Sequence, residues 1–313
     1  MTPDLARELR AGSIRALARA ISMVERRDPA GRPLLESLGE SLKRPPVLGL
    51  TGAPGTGKSA LADRLIDVLR SREESVGVVA VDPNSPYSGG ALLGDRIRMQ
   101  KHALDPQVFI RSMGARGHLG GLSLATREVV RLLGAFGFTQ VIVETVGVGQ
   151  SELDVAAVAD TTLVVLAPGM GDGVQMIKAG IMEIADVFAV NKADLPGAER
   201  TVMEIRGMLN SGPKLEWKPP IVPTSATTGR GLEELWSAVE RHRAHLFESG
   251  RAGAREAARL TEETVDLVGE WARQEARRLL EEDPSLSSEL VAAGVPYPVA
   301  ERIRARSRKG ARS

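Results

Sequence analysis

The sequence contains no cysteine. Disulfides, thiolate nucleophiles, iron–sulfur clusters and cysteine-held zinc are excluded together. Histidine is almost as scarce, with four residues, His102, His118, His242 and His245. His242 and His245 stand three apart in a helical pattern without acidic partners, which reads as a solvated helix face rather than a metal site. No apolar run reaches the roughly 18 residues of a membrane span. Charge of one sign is lacking as well: 41 Lys and Arg against 40 Asp and Glu leave a formal net charge of +1. That balance excludes a surface built primarily for nucleic acid or anionic membrane. Only the stretch from Arg302 to Arg312 is locally basic. The Arg-rich N-terminus could pass for a transit peptide, but Asp4 and Glu8 interrupt it and no signal-peptide core follows. The expectation is a soluble, cytoplasmic protein. Lysine is the last scarcity, present only at 43, 58, 101, 178, 192, 214, 218 and 309. A chain that writes its positive charge as arginine makes a lysine inside a motif informative, because the two are not interchangeable at a phosphate.

What is present is enough apolar material, 42% of 313 residues, to pack a core. Residues 4–28 carry Leu5, Leu9, Ile14, Leu17, Ile21 and Val24 at spacings near three and four, an amphipathic helix followed by a shorter one to about Lys43. Pro45-Pro46 then marks a boundary. Beyond it, short apolar runs alternate with helical patterns. The runs are Val47–Leu50, Val76–Val81, Val108–Ile110, Gln140–Val143, Thr161–Ala167, Val187–Val190 and Ile221–Thr224, and the helices are 58–71, 121–135, 174–185 and 199–210. Runs apolar on consecutive residues belong to strands covered on both faces. The expected class is therefore α/β, a mostly parallel central sheet with helices on both sides and ligands at the C-terminal strand ends. After about Gly250 the strands stop. A long helix is expected over 254–282, with Leu260, Val268, Trp271 and Leu279/Leu280 along one side, and a second helical piece from about 298. The expected domains are an N-terminal helical extension over 1–45, a central α/β domain over 46–250, and a C-terminal helical arm over 251–313.

Strand Val47–Leu50 runs into Gly52-Ala53-Pro54-Gly55-Thr56-Gly57-Lys58-Ser59 and a helix from Ala60. This is G-x-x-x-x-G-K-[ST] in its strand–loop–helix setting, a phosphate-binding loop. Its glycines turn backbone N–H groups onto phosphates, and the helix N-terminus adds its positive end. Lys58 would reach the β- and γ-phosphates and the Ser59 hydroxyl would ligate Mg²⁺. Strand Val187–Val190 ends in Asn191-Lys192-Ala193-Asp194, the N-K-x-D pattern of guanine sites. Asp194 can accept hydrogen bonds from guanine N1–H and the 2-amino group, which adenine cannot supply. Lys192 would lie over the base, and Asn191 would tie this loop to the phosphate loop. Ser225-Ala226-Thr227 follows the last strand, where a backbone N–H can meet guanine O6.

Asp82 ends the second strand and Glu144 closes Gln140–Val143, both where a Mg²⁺ shell is completed; each could instead be ordinary, a capping turn for Asp82 and a surface carboxylate for Glu144. Gly147 could bring its N–H to the γ-phosphate. Asp95 is open between the two readings. The loop from Pro168 to Lys178 carries Asp172 and one of the scarce lysines, and could be a plain strand–helix connection.

These residues resemble the MeaB/ArgK family of P-loop GTPases, associated with methylmalonyl-CoA mutase, over nearly the whole chain. The distinguishing segments are Val81-Asp82-Pro83, Ser88-Gly89-Gly90, Leu93-Gly94-Asp95-Arg96, Glu144 through Glu152, and Gly171-Asp172 with Gln175 and Lys178-Ala179-Gly180. The resemblance implies that Asp82, Asp95 and Glu144 surround Mg²⁺ with Ser59. It also implies that 168–178 is an additional switch, so that Lys58, Asp95, Glu144 and Lys178 are the candidate catalytic set. It further implies GTP hydrolysis stimulated by an adenosylcobalamin-dependent acyl-CoA mutase, gating of cofactor loading and rescue of inactivated mutase, and a homodimer through the C-terminal arm. Two positions depart from the pattern. Asn84 stands where the family commonly has Ser, and Gln150 is offset from the glutamine that orients water in small signalling GTPases. Two other readings are a metal-insertion maturation GTPase, which the absence of cysteine disfavours, and a protein kinase or transport-associated ATPase, which the N-K-x-D pattern disfavours.

Overall fold

The computed structural model describes residues 2–42, 44–82, 100–114, 121–145, 151–169, 182–212 and 215–310. It divides into two compact units, Met1–Glu256 and Ala257–Ser313. Among the described residues no helix is long and apolar enough to cross a membrane.

The first unit is built on a seven-stranded sheet. Its strands are β1 (Val47–Thr51), β2 (Val76–Asp82), β3 (Val108–Gly114), β4 (Gln140–Thr145), β5 (Thr161–Leu166), β6 (Val187–Val190) and β7 (Ile221–Pro223). They lie in the order β3-β2-β4-β1-β5-β6-β7, with every neighbouring pair parallel. Strands β1, β4, β5 and β6 are buried along their whole length, which is why their central residues are apolar in succession rather than in alternation. Alternate side chains then serve opposite faces. Val47, Val79, Val141 and Val143 share a core with α5 (Gly121–Phe136) and α6 (Ser151–Val158). Leu48, Leu50, Val78 and Ile142 share one with α4 (Lys58–Ser71) and α8 (Leu232–Glu248). Helix α7 (Ala198–Ser211) covers Val164, Phe188 and Val190.

The N-terminal helices join the first of these cores. The sequence suggests one helix over 4–28; the structure has two, α1 (Thr2–Arg10) and α2 (Ile14–Glu25), before α3 (Gly31–Leu38). The break has a local cause. Gly12 takes φ +80°, a left-handed conformation open to glycine. Ser13 then caps α2, its side chain accepting from the Ala16 N–H at 3.3 Å. The break also resets the helical phase, so Leu5, Leu9, Leu17, Ile21 and Val24 are buried while Ile14 is 40% exposed.

Helix α9 (Arg251–Glu282) begins in the first unit and continues into the second. There the helical piece expected from about 298 is α11 (Tyr297–Gly310), and a further helix that the sequence pattern did not suggest, α10 (Pro284–Ala293), precedes it. Asp283 caps α10 with Pro284 at its first position, and Gly294 at φ +63° closes it. Leu286 and Val299 are the buried side chains of this pair. Arg306 donates to Asp283 Oδ2 at 2.6 Å.

Candidate functional site

The segment between β1 and α4 turns through three left-handed glycines, Gly52 at φ +137°, Gly55 at +79° and Gly57 at +89°. A Cβ on Gly52 would stand 2.2 Å from the Val165 carbonyl oxygen on β5, so this turn is closed to any larger residue. Thr56 Oγ1 donates to the Ala53 carbonyl at 2.9 Å and fixes the loop internally. Pro54, Gly55 and Ala60 are exposed, whereas Thr56, Lys58 and Ser59 are buried. The Lys58 ammonium is folded onto the loop, donating to the Gly52 carbonyl at 2.7 Å and the Ala53 carbonyl at 3.0 Å. These bonds hold the ammonium against the loop that would carry the phosphates.

Ser59 Oγ donates to Glu144 Oε1 at 2.6 Å. Glu144 is 3% exposed, so it is not a surface carboxylate. Parallel pairing of β1 with β4 sets Leu50 opposite Glu144, which brings the acid to the first turn of α4.

The loop after β6 reaches the same place. Asn191 is 1% exposed and bonds in two directions. Its Nδ2 donates to the Thr56 carbonyl at 2.9 Å, and its Oδ1 accepts from the Ala226 N–H at 3.2 Å. One amide thus joins the phosphate loop, the N-K-x-D loop and the Ser225-Ala226-Thr227 loop. Lys192 takes φ +57°, uncommon for a residue with a side chain. The Ala193 N–H donates to the Thr224 carbonyl and the Leu195 N–H closes back on the Lys192 carbonyl, which hold that turn. Asp194 is exposed. The Ser225 side chain, hydrogen-bonded to Asp194, holds its carboxyl below the usual carboxylate range, with smaller help from its own backbone N–H and the Lys192 charge. Asp194 is therefore an ionised, acceptor-only group.

A family model, Methylmalonyl Co-A mutase-associated GTPase MeaB, matches residues 17–279. The chain belongs to this family. A Pyrococcus horikoshii protein named as a GTPase is 43% identical over 305 residues, 96% of either chain. GTPase ArgK of Escherichia coli is 40% identical over 260 residues, 78% of this chain and 77% of that one. The crystal structure of an LAO/AO transport system kinase is similar with a TM-score of 0.70 at 27% identity, covering 98% of this chain and 97% of the other.

The protein is accordingly a P-loop GTPase with a G-domain fold, and membership of the family implies use of GTP, GDP and Mg²⁺. Of the residues picked out in the sequence, the structure brings together 52–60, Glu144, Asn191, Lys192, Asp194 and 225–227. Asp82 ends β2, next but one to β1 in the sheet. Asp95, Gly147, Asp172 and Lys178 lie outside the described residues.

The histidine reading needs correction. His242 is 1% exposed and does not face solvent. It stands between Thr161 Oγ1, 2.9 Å from Nδ1, and Asp186 Oδ1, 3.1 Å from Nε2. Both ring nitrogens are thus engaged by polar partners, the Thr161 hydroxyl on one side and the Asp186 carboxylate on the other. The signal was in the sequence: Leu235, Val239, His242 and Leu246 form one apolar stripe of α8, and all four are buried. Sequence reasoning also passed over Arg64, whose Nε donates to the Ala226 carbonyl at 2.8 Å.

Proposed function

We propose that GTP lies across these three loops, with its phosphates on the amides of Gly52, Pro54 to Ala60 and the Lys58 ammonium, and its base between Lys192, Asp194 and the 225–227 turn. Pro54 lacks an N–H, so it shapes the loop while its neighbours donate. One observation carries the reading: the buried Asn191 amide bonds to the phosphate loop and the base loop at once. A base at one end of a nucleotide and phosphates at the other call for such a spacer. The Ser59 hydroxyl and Glu144 carboxylate supply oxygen donors only, a set suited to Mg²⁺ and not to a thiophilic metal. Ser59, Glu144, Asp82 and Asp95 are the residues that would hold the ion, which when bound neutralises charge on the β- and γ-phosphates.

Phosphoryl transfer of this kind depends on positioning and charge rather than covalent catalysis. Lys58 exchanges its carbonyl partners for phosphate oxygens, and the Gly147 N–H is the donor proposed for the γ-phosphate. Lys58→Ala therefore abolishes GTP binding. Asp194→Asn converts an acceptor into a group that can donate, so xanthosine triphosphate becomes preferred over GTP. An unchanged preference for GTP in Asp194→Asn would refute the base site.

The family description names a mutase-associated GTPase, and this supports the second half of the proposal. The protein acts in the cytoplasm as a chaperone of an adenosylcobalamin-dependent acyl-CoA mutase, methylmalonyl-CoA mutase foremost, gating cofactor loading and rescuing inactivated enzyme. Residues 168–178, with Lys178, are the proposed switch through which the docked mutase stimulates hydrolysis. A homodimer forms through α9, where Leu260, Val268 and Trp271 are 45%, 53% and 43% exposed. The test is GTP turnover with and without purified methylmalonyl-CoA mutase, alongside recovery of mutase subunits on the tagged GTPase from its native host. Turnover unchanged by the mutase, with no mutase recovered, would remove this partner.

A further inference from the structure

Arg64 sits on α4, six residues beyond Lys58, and reaches a loop far away in sequence. Its Nε donates to the Ala226 carbonyl at 2.8 Å and its Nη2 to the Thr227 carbonyl at 3.4 Å. On its other side Nη1 stands 3.5 Å from Asp67 Oδ2, and Asp67 is itself held by Lys101 at 2.7 Å. The guanidinium is thus set in place before any nucleotide arrives. Phosphate chemistry does not call for this arrangement, since the charged fork is spent on two backbone carbonyls.

The consequence follows from the planarity of the peptide bond. In a trans peptide the C=O and the following N–H point in opposite directions. With the Ala226 carbonyl turned to Arg64, the Thr227 N–H faces away from α4. The preceding N–H, that of Ala226, donates to Asn191 Oδ1. Two successive donors of the base loop are therefore fixed, one by Asn191 and one by Arg64.

We propose that Arg64 is a positioning residue for recognition of the purine 6-oxo group, holding the Ala226–Thr227 peptide so that its N–H meets that oxygen. The proposal rests on the guanine reading given above. It explains why an arginine occupies the site: two adjacent carbonyls match a planar fork, whereas a lysine ammonium offers one strong contact without fixed direction.

The test separates nucleotides by the atom concerned. GDP and inosine diphosphate carry the 6-oxo group, while the diphosphate of 2-aminopurine riboside keeps the 2-amino group and lacks the oxygen. Calorimetry on wild type, Arg64→Met and Arg64→Lys is expected to show GDP and inosine diphosphate weakened about tenfold by Arg64→Met, the equivalent of one lost hydrogen bond. The 2-aminopurine compound is expected to change by less than about twofold, kcat at saturating GTP to hold, and Arg64→Lys to fall between. Equal weakening of all three nucleotides would show a brace for the fold and overturn the proposal, as would no weakening at all. If Arg64→Met does not fold, Arg64→Lys carries the same comparison, with the oxygen-bearing nucleotides alone affected. Failure of the underlying reading looks different: wild-type protein would then bind ADP as tightly as GDP.

Discussion

Gly57→Ala tests whether the phosphate loop and the base loop are mechanically one site. Gly57 has φ +89°, and a Cβ there would lie 2.5 Å from Asn191 Nδ2. Two costs follow. An L-residue held in the left-handed region loses about 1–2 kcal/mol. The Asn191 side chain must also move, giving up its bonds to Thr56 and Ala226. Displacing a buried, doubly bonded amide adds about 1–3 kcal/mol. The expected destabilisation is therefore about 2–5 kcal/mol.

Gly12→Ala is the matched control. Gly12 has φ +80° and open space where a Cβ would project, so it incurs the backbone cost alone, and the unfolded-state effect of Gly→Ala is common to both. Urea unfolding of the two variants should differ by the Asn191 contribution, about 1–3 kcal/mol. Because Asn191 bridges to the base loop, GDP affinity in Gly57→Ala should fall by roughly one to two orders of magnitude, while Gly12→Ala binds as wild type. The double variant Gly57→Ala/Asn191→Ala should be less destabilised than the two single effects added, since the truncated side chain no longer clashes. Equal loss of stability in Gly57→Ala and Gly12→Ala, with affinity retained in both, would refute the bridging role.

Other outcomes follow from the same contacts. Burial pushes the Asp186 carboxyl up, but the His242 hydrogen bond and charge, with Arg255, outweigh it and leave it below its ordinary range. A carboxyl lowered in the folded state stabilises fully above the unfolded value near 4 and loses that contribution as pH falls below it; urea midpoints between pH 6 and 3 should decline less steeply in Asp186→Asn, and parallel slopes would contradict this. His242→Leu leaves the Asp186 carboxylate short of one donor, and thermal unfolding should show a loss of about 1.5–3 kcal/mol, as for a hydrogen bond to a charged group. Lys178→Ala is expected to keep GTP affinity and lose mutase-stimulated turnover; full stimulation in that variant would remove the switch.

The sheet and the phosphate loop were legible because their signals are local. A strand buried on both faces is apolar on consecutive residues along its centre, as in Val141–Val143 and Leu163–Leu166, and a loop that must turn N–H groups inward needs glycine at fixed spacings. Other features depended on partners distant in sequence. Arg64 lies among Leu61, Leu65 and Ile66 with nothing in its neighbourhood to announce Ala226 as its acceptor. His242 was misread because its spacing to His245 drew attention away from its spacing to Leu235 and Val239. The break at Gly12 and the cap at Asp283-Pro284 did leave local signals, a glycine before a serine and an acid before a proline, which the apolar periodicity overrode.

The two ends of β6 show why distant contacts still bear on the nucleotide. At its N-terminal end the Asp186 N–H donates to the Thr162 carbonyl, and Asp186 Oδ2 accepts from the Thr162 N–H at 2.8 Å. At its C-terminal end the Asn191 N–H donates to the Leu166 carbonyl at 2.8 Å. Between them the pairing of β5 with β6 runs from Leu163 opposite Val187 to Leu166 opposite Val190. A slip of one residue would turn Phe188 and Val190 to the wrong face and carry Asn191 off the Thr56 carbonyl. The carboxylate pinned to β5 at one end adds to the register already set by the buried strand pairing, which delivers the amide, about 17 Å away at strand rise, to the phosphate loop. A variant that weakens the Asp186 cluster without shifting register should lower stability and leave GDP affinity of the folded protein untouched; only a register shift can reach the nucleotide.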